Sequence, residues 1–226
     1  MKKIIIPQYL FLFFVLISCH KEIRAEKGGI DLISNVYFDA SKGLNKMQTF
    51  HVSKINYQND FIIELIPDLE FPEMTKATYF IKDSVFYDLK NANTSAVLSE
   101  LQKKQKPTSV YSKTMGSVFT REPLLNYRNR RNLSDTVLFK KSYRRFEINS
   151  PWNYTRYYIY PTDTILPYSF YREVGKEYHG RIERIDSYDK QKDIFVSLQL
   201  IPRKNQDSEA EELFRFNRFI ESRKKK

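Results

Sequence analysis

Five successive segments between residues 136 and 201 alternate apolar and polar side chains. A period of two confines a chain to half-buried strands. Val137–Ile148 is the first segment. Trp152–Tyr160 is the second, with Trp152, Tyr154, Arg156, Tyr158 and Tyr160 on one face. Ile165–Val174 is the third, placing Leu166, Tyr168, Phe170 and Val174 together, and Tyr178–Tyr188 and Ile194–Ile201 form a closing hairpin. Pro161-Thr162-Asp163, Gly175-Lys176 and Asp189-Lys190-Gln191-Lys192 supply the turns. Strands at this spacing predict an antiparallel meander.

The earlier half gives two more strand pairs. Gln48–Tyr57 and Phe61–Ile66 flank a turn at Gln58-Asn59-Asp60, and Ala77–Ile81 and Val85–Leu89 flank Lys82-Asp83-Ser84. Leu32, Ile33, Val36 and Tyr37 fall at helical spacing before Gly43, which predicts a helix over 30–42. Asn93 or Thr94 is placed to cap a short helix carrying Val97, Leu98 and Leu101. Residues 106–135, punctuated by Pro107, Gly116 and Pro123, read as a long loop with room for one short helix. A segment of that length is a candidate cover over a site. Ser208-Glu209-Ala210-Glu211 has the form of a capping box. It precedes Leu213, Phe216 and Ile220 on one face, widened by Phe214 and Phe219. That face predicts a helix docked on the sheet, or one that holds a partner or lies on a membrane. The expected fold is α+β: mainly antiparallel β with helices, as an incomplete β-barrel or a strongly curved sheet covered by helices.

The start of the chain carries a different signal. Lys2 and Lys3 open an apolar run from Ile4 to Ile17, too short to span a bilayer comfortably and shaped like a secretory leader. The run ends in Leu16-Ile17-Ser18-Cys19, which resembles a bacterial lipobox. That resemblance implies cleavage before Cys19 and acylation of its sulfur and new amino terminus, with palmitate-type chains holding the protein to a membrane. Cys19 is the only cysteine, so no disulfide forms within the chain. The expected organisation is a leader at 1–18, a tether at 19–29 ending in Gly28-Gly29, a curved-sheet domain at 30–206 and an amphipathic helix at 207–226.

No aspartate follows Cys19, where enterobacterial lipoproteins carry an inner-membrane retention signal. The resemblance therefore implies the outer membrane, on its periplasmic face or at the cell surface. Lys21-Glu22 resembles the charged surface-export signal of Bacteroidetes lipoproteins. Asp83-Ser84-Val85, Asp135-Thr136-Val137 and Asp163-Thr164-Ile165 resemble the O-glycosylation sequon of that phylum, implying modification at Ser84, Thr136 and Thr164. Turn formation by Asp and Ser/Thr explains the same triplets without modification.

Cleavage lowers the formal charge from +11 to +9. For an exported protein the anionic neighbours are lipid headgroups and lipopolysaccharide phosphates rather than nucleic acid, and a solvated basic surface accounts for the charge equally well. The chain contains no Gly-rich phosphate loop, no Gly-x-Ser-x-Gly elbow and no His-Glu-x-x-His. Its histidines, His20, His51 and His179, have no metal-ligand spacing, and no cofactor or metal is expected. Glu177, Glu183, Asp186 and Asp189 crowd the last hairpin, but nothing in their spacing marks an acid–base pair.

The expectation is a non-catalytic binding protein for a hydrophobic or amphipathic ligand, with Trp152, Tyr154, Tyr158 and Phe170 lining its site. The alternatives are a glycan-binding platform on the same aromatics and an accessory subunit that docks a partner envelope protein through its last helix. A sheet core explains the aromatic face without any ligand. The helix over 30–42 before the first strands, the antiparallel strand pairs, the mid-chain helix, the lipid anchor, the Asp163-Thr164-Ile165-Leu166-Pro167 segment and the 178–201 hairpin together resemble the outer-membrane lipoprotein-localisation factors. Those proteins fold as an incomplete β-barrel closed by helices, with a hollow for acyl chains. The C-terminal helix and the length of the 106–135 insertion depart from the family, and no exposed apolar loop of the kind that assists lipid insertion is identified.

Overall fold

A computed structural model describes residues 22–89 and 98–224; the leader, Cys19 and the residues expected to cap the mid-chain helix lie outside the described residues. The described chain is built on one antiparallel sheet. Its strands in chain order are β2 (Lys27–Phe38), β3 (Met47–Gln58), β4 (Phe61–Pro67), β5 (Thr75–Lys82), β6 (Val85–Asp88), β7 (Thr108–Ser109), β8 (Arg131–Leu138), β9 (Lys141–Asn149), β10 (Asn153–Pro161), β12 (Gly180–Asp189) and β13 (Ile194–Arg203). The spatial order is β7-β6-β5-β4-β3-β2-β13-β12-β10-β9-β8, so two meanders join where β2 pairs with β13. β7 and β8 are the free edges, and the sheet does not close into a barrel. Two short strands, β1 (Ile23–Arg24) and β11 (Thr164–Ile165), pair in parallel beside it.

The helix expected over 30–42 is instead strand β2, near the middle of the sheet. A bulge between Leu32 and Ile33 breaks its alternation, so the apolar positions imitate a helical spacing. The strand expected over Ile165–Val174 is also absent. After the two residues of β11 the chain leaves the sheet at Pro167, which has no N–H to donate, and turns into helix α2 (Arg172–Glu177). Val137–Ile148 divides into β8 and β9 around a two-residue turn at Phe139-Lys140, both at positive φ.

The two faces of the sheet carry different cores. On one, Ile63, Leu65, Phe80 and Tyr87 meet helix α1 (Leu98–Lys104) and helix α3 (Ser208–Lys224) through Leu98, Leu101, Ala210, Leu213 and Phe214. The buried Asn217 of α3 accepts the backbone N–H of Leu98 at 2.5 Å and so satisfies a donor at the start of α1. Glu211 does not close the expected capping box; its carboxylate pairs with Lys27 at 2.8 Å. On the other face, Ile30, Leu32, Ile55, Ile62, Ile66 and Leu200 form a second core, which continues through Phe146, Tyr157, Ile159 and Ile182 into a third. Two covering segments, 110–127 and 166–178, the second containing α2, lie over this second face.

Candidate functional site

The two covering segments do not fill the space beneath them. They enclose a hollow of about 710 Å³, floored by Leu32 of β2, Val52 of β3, Ile185 of β12 and Leu198 of β13. Phe119, Leu124, Tyr127, Tyr168, Phe170 and Val174 line it from the covering side, while Arg121, Glu122, Arg172, Glu173 and Glu177, all exposed, stand where it meets solvent. The volume lies in the range of small-molecule sites, and an apolar lining with a few polar groups at the margin suits an amphipathic or hydrophobic guest.

Polar contacts hold the cover. Glu64 projects from β4 among apolar residues and is fully buried. It forms an ion pair with Lys113 and accepts the Ser53 hydroxyl at 2.7 Å and the Ser117 backbone N–H at 2.6 Å. Lys113 also donates to Ser117 Oγ at 3.1 Å, and burial pushes its ammonium below its ordinary pKa. Gly116 makes this approach possible. Its φ is +73°, and a Cβ there would stand 2.4 Å from Glu64 Oε1. Further along, the Tyr168 hydroxyl donates to the Val118 carbonyl at 3.1 Å, and the Tyr127 hydroxyl donates to Glu177 at 2.7 Å. These two bonds tie the covering segments to each other. Burial raises the pKa of both tyrosines, and for Tyr127 the bond to Glu177 adds to the effect.

Of the four residues expected to line a ligand site, Phe170 alone borders the hollow. Strand β10 turns Thr155, Tyr157 and Ile159 toward it: Thr155 bonds Ser187, and Tyr157 stacks on Phe146 with centroids 4.6 Å apart. Tyr154 and Tyr158 therefore point to the opposite face. There Tyr158 is buried against Tyr143, with the Arg184 guanidinium 5.5 Å above its ring, and the Arg156 guanidinium lies 5.2 Å from Tyr154. Ion pairs Arg156–Glu147 at 3.1 Å and Arg184–Asp186 at 2.8 Å complete that polar, aromatic surface. Trp152 sits at the β9–β10 connection, 60% exposed and remote in register from the hollow's floor. The four aromatics do not form one site. Chain pattern showed Trp152, Tyr154 and Tyr158 as one face, and the structure turns Tyr154 and Tyr158 to the side of the sheet away from the hollow.

The sequon residues fall in three settings. Ser84 is exposed in the tight Asp83-Ser84 turn, Thr136 is half-buried within edge strand β8, and Thr164 is half-buried in β11. The β4–β5 connection presents Leu69, Phe71 and Met74 to solvent, held by Asp68, whose carboxylate accepts the N–H groups of Glu70 and Phe71. Such an exposed apolar loop was not identified from sequence. Among the described residues, no group of three His, Cys, Asp or Glu side chains is placed to hold a metal ion, and no helix is long and apolar enough to cross a membrane. No protein-family model and no curated protein matches the chain.

Proposed function

We propose that this chain is a lipid-anchored outer-membrane protein that takes a hydrophobic or amphipathic ligand, such as a lipid or a lipoprotein acyl chain, into the hollow beneath its sheet without catalysis. The 710 Å³ hollow over Leu32, Val52, Ile185 and Leu198 carries this reading. An apolar space of that size, left open between covering segments and held by polar ties at their ends, serves a guest better than it serves stability, because close-packed cores leave few voids larger than a water molecule. The open sheet with one covered hollow supports the resemblance to lipoprotein-localisation factors and, with it, the reading of the sheet as an incomplete barrel. The leader and Cys19 support an acyl anchor, for which two or more chains suffice.

Native mass spectrometry of the protein purified from cells, followed by lipid extraction, tests the reading. A co-purifying amphiphile is expected, and Val52→Trp, which fills the floor, is expected to abolish it. A protein that carries and binds none refutes the proposal. For the anchor, Cys19→Ala is expected to leave the membrane fraction; retention after high-salt washing refutes that part alone.

A further inference from the structure

The outer face of α3 carries side chains that the fold does not use. The buried side of the helix is Ala210, Leu213, Phe214 and Asn217. Phe219 stands on the opposite side, 50% exposed. Arg215 and Arg223, four residues before and after it, share its stripe and are exposed, and the Arg223 guanidinium lies 4.4 Å from the centre of the Phe219 ring. Arg218 is exposed beside them.

Charge is segregated along this helix. Glu209, Glu211 and Glu212 occupy its first turns, whereas residues 213–226 carry six cations and one carboxylate, Glu221. The helix dipole accounts for cations in the last turn only, and Arg215 and Arg218 lie further back. Glu211, whose field reaches both, is already paired with Lys27. Among the described residues, Arg215, Arg218 and Arg223 form no ion pair. The Lys27–Glu211 contact at 2.8 Å also fixes where this surface lies relative to the start of the chain. Lys27 follows Cys19 by eight residues, a length that reaches at most about 28 Å. Phe219 follows Glu211 by eight helical residues, a rise of about 12 Å. A membrane held through Cys19 is therefore a large anionic surface within reach of the basic end of α3.

We infer that the C-terminal turns of α3 lie on the anionic phospholipid surface of the leaflet that holds the Cys19 acyl chains. Phe219 enters the headgroup layer, and Arg215, Arg218 and Arg223 meet lipid phosphates, as on other helices that lie in a membrane surface. One ring among three guanidiniums falls short of the about 800 Å² that a stable protein interface takes from each partner. An anionic surface attracts cations without a fitted outline. The inference rests on the proposed anchor at Cys19 and is independent of the hollow.

The test is fluorescence of the full acylated chain reconstituted in vesicles, with Phe219→Trp in a Trp152→Phe background as the single indole. In phosphatidylcholine vesicles containing phosphatidylglycerol, the emission is expected to shift to the blue and to be quenched by brominated lipid. In phosphatidylcholine alone, quenching is expected to fall by about twofold or more. Arg215→Ala and Arg218→Ala, both at exposed positions, are each expected to lower the ratio of docked to free helix about fivefold, the share of one cation near such a surface. Equal quenching in the two vesicles, or none in either while the protein floats with them, overturns the inference and leaves the anchor standing. If the protein floats with neither vesicle, both readings fall. A photoreactive residue in place of Phe219 that crosslinks in cells to protein and not to phospholipid also overturns the inference, and makes this face a partner's surface instead.

Discussion

Glu64 and Lys113 form an ion pair from which solvent is excluded, with 0% and 1% of their side chains exposed, and the pair joins the floor of the sheet to the segment that covers the hollow. The carboxylate has three partners, Lys113, the Ser53 hydroxyl and the Ser117 N–H, and Lys113 also donates to the Ser117 hydroxyl. Removing one member leaves the other buried and uncompensated, which costs about 3–5 kcal/mol. Lys113→Met is therefore expected to destabilise the protein by about that amount and to open the 110–127 segment to protease. Glu64→Gln combined with Lys113→Met is expected to recover more than half of the loss, because no charge is then stranded. Urea denaturation measures both. A loss under about 1 kcal/mol for the single variant would mean that the pair does not hold the cover.

The turn between β8 and β9 places Phe139 at φ 50° and Lys140 at φ 64°. Two-residue hairpins of this kind favour Asn-Gly, since side chains with a Cβ are strained at positive φ. Phe139 is also 78% exposed, so it gains little packing there. Phe139→Asn with Lys140→Gly is expected to raise stability by about 1 kcal/mol, after allowing for the added freedom of glycine in the unfolded chain. Thermal denaturation of the double variant checks it, and an unchanged or lower midpoint would show that Phe139 makes a stabilising contact.

The same turn shows why part of the fold escaped the sequence. Without Gly, Pro or Asn at 139–140, nothing marks a reversal, and β8 and β9 read as one strand. β2 was hidden by its bulge at Leu32/Ile33, which turned a period of two into an apparent helical spacing. Strands β3 to β6, β10, β12 and β13 and helix α3 were legible because each keeps a regular apolar face between clear turns. Leu166, Tyr168, Phe170 and Val174 were read as one face of a strand, but they belong to the covering segment and to α2, which pack on the sheet beside the hollow. The hollow itself was illegible. Its floor draws one residue from each of four strands, β2 and β3 from the start of the described chain and β12 and β13 from near its end, and the β2–β13 pairing is what brings Leu32 and Val52 beside Ile185 and Leu198. The length of the 106–135 segment was the one usable signal.

Four tyrosines should govern the alkaline limit of stability. Burial raises the pKa of Tyr127, Tyr143, Tyr157 and Tyr168 above their ordinary 10.0, and Tyr143, beside Glu183, reaches about 12. The folded state holds these protons more tightly than the unfolded chain. Their stabilisation is complete below pH 10 and is lost as pH rises through the folded-state values. Lys113, lowered by burial, works in the opposite direction. Tyrosinate absorbance is expected to show the exposed tyrosines ionising first, then a cooperative step above pH 11 that coincides with the loss of far-ultraviolet dichroism. A single smooth titration near pH 10 with the fold intact would contradict the burial of these rings.

Trp152 lies at the β9–β10 connection and Phe170 in the cover over the hollow, and this separates two optical experiments. Trp152 is the only tryptophan and is largely solvated at the β9–β10 connection, so the native emission reports a surface remote from the hollow. Adding an amphiphile is expected to leave that emission unmoved even when the ligand binds. Phe170 borders the hollow. Phe170→Trp in a Trp152→Phe background should place the indole at the wall of the hollow, where ligand entry removes water from the ring. A blue shift on addition of a lysolipid is the expected result, because the indole then leaves a polar for an apolar environment. The reverse pattern, a shift at Trp152 and none at position 170, would move the binding site to the other face of the sheet and restore the aromatic row of β10 as the platform.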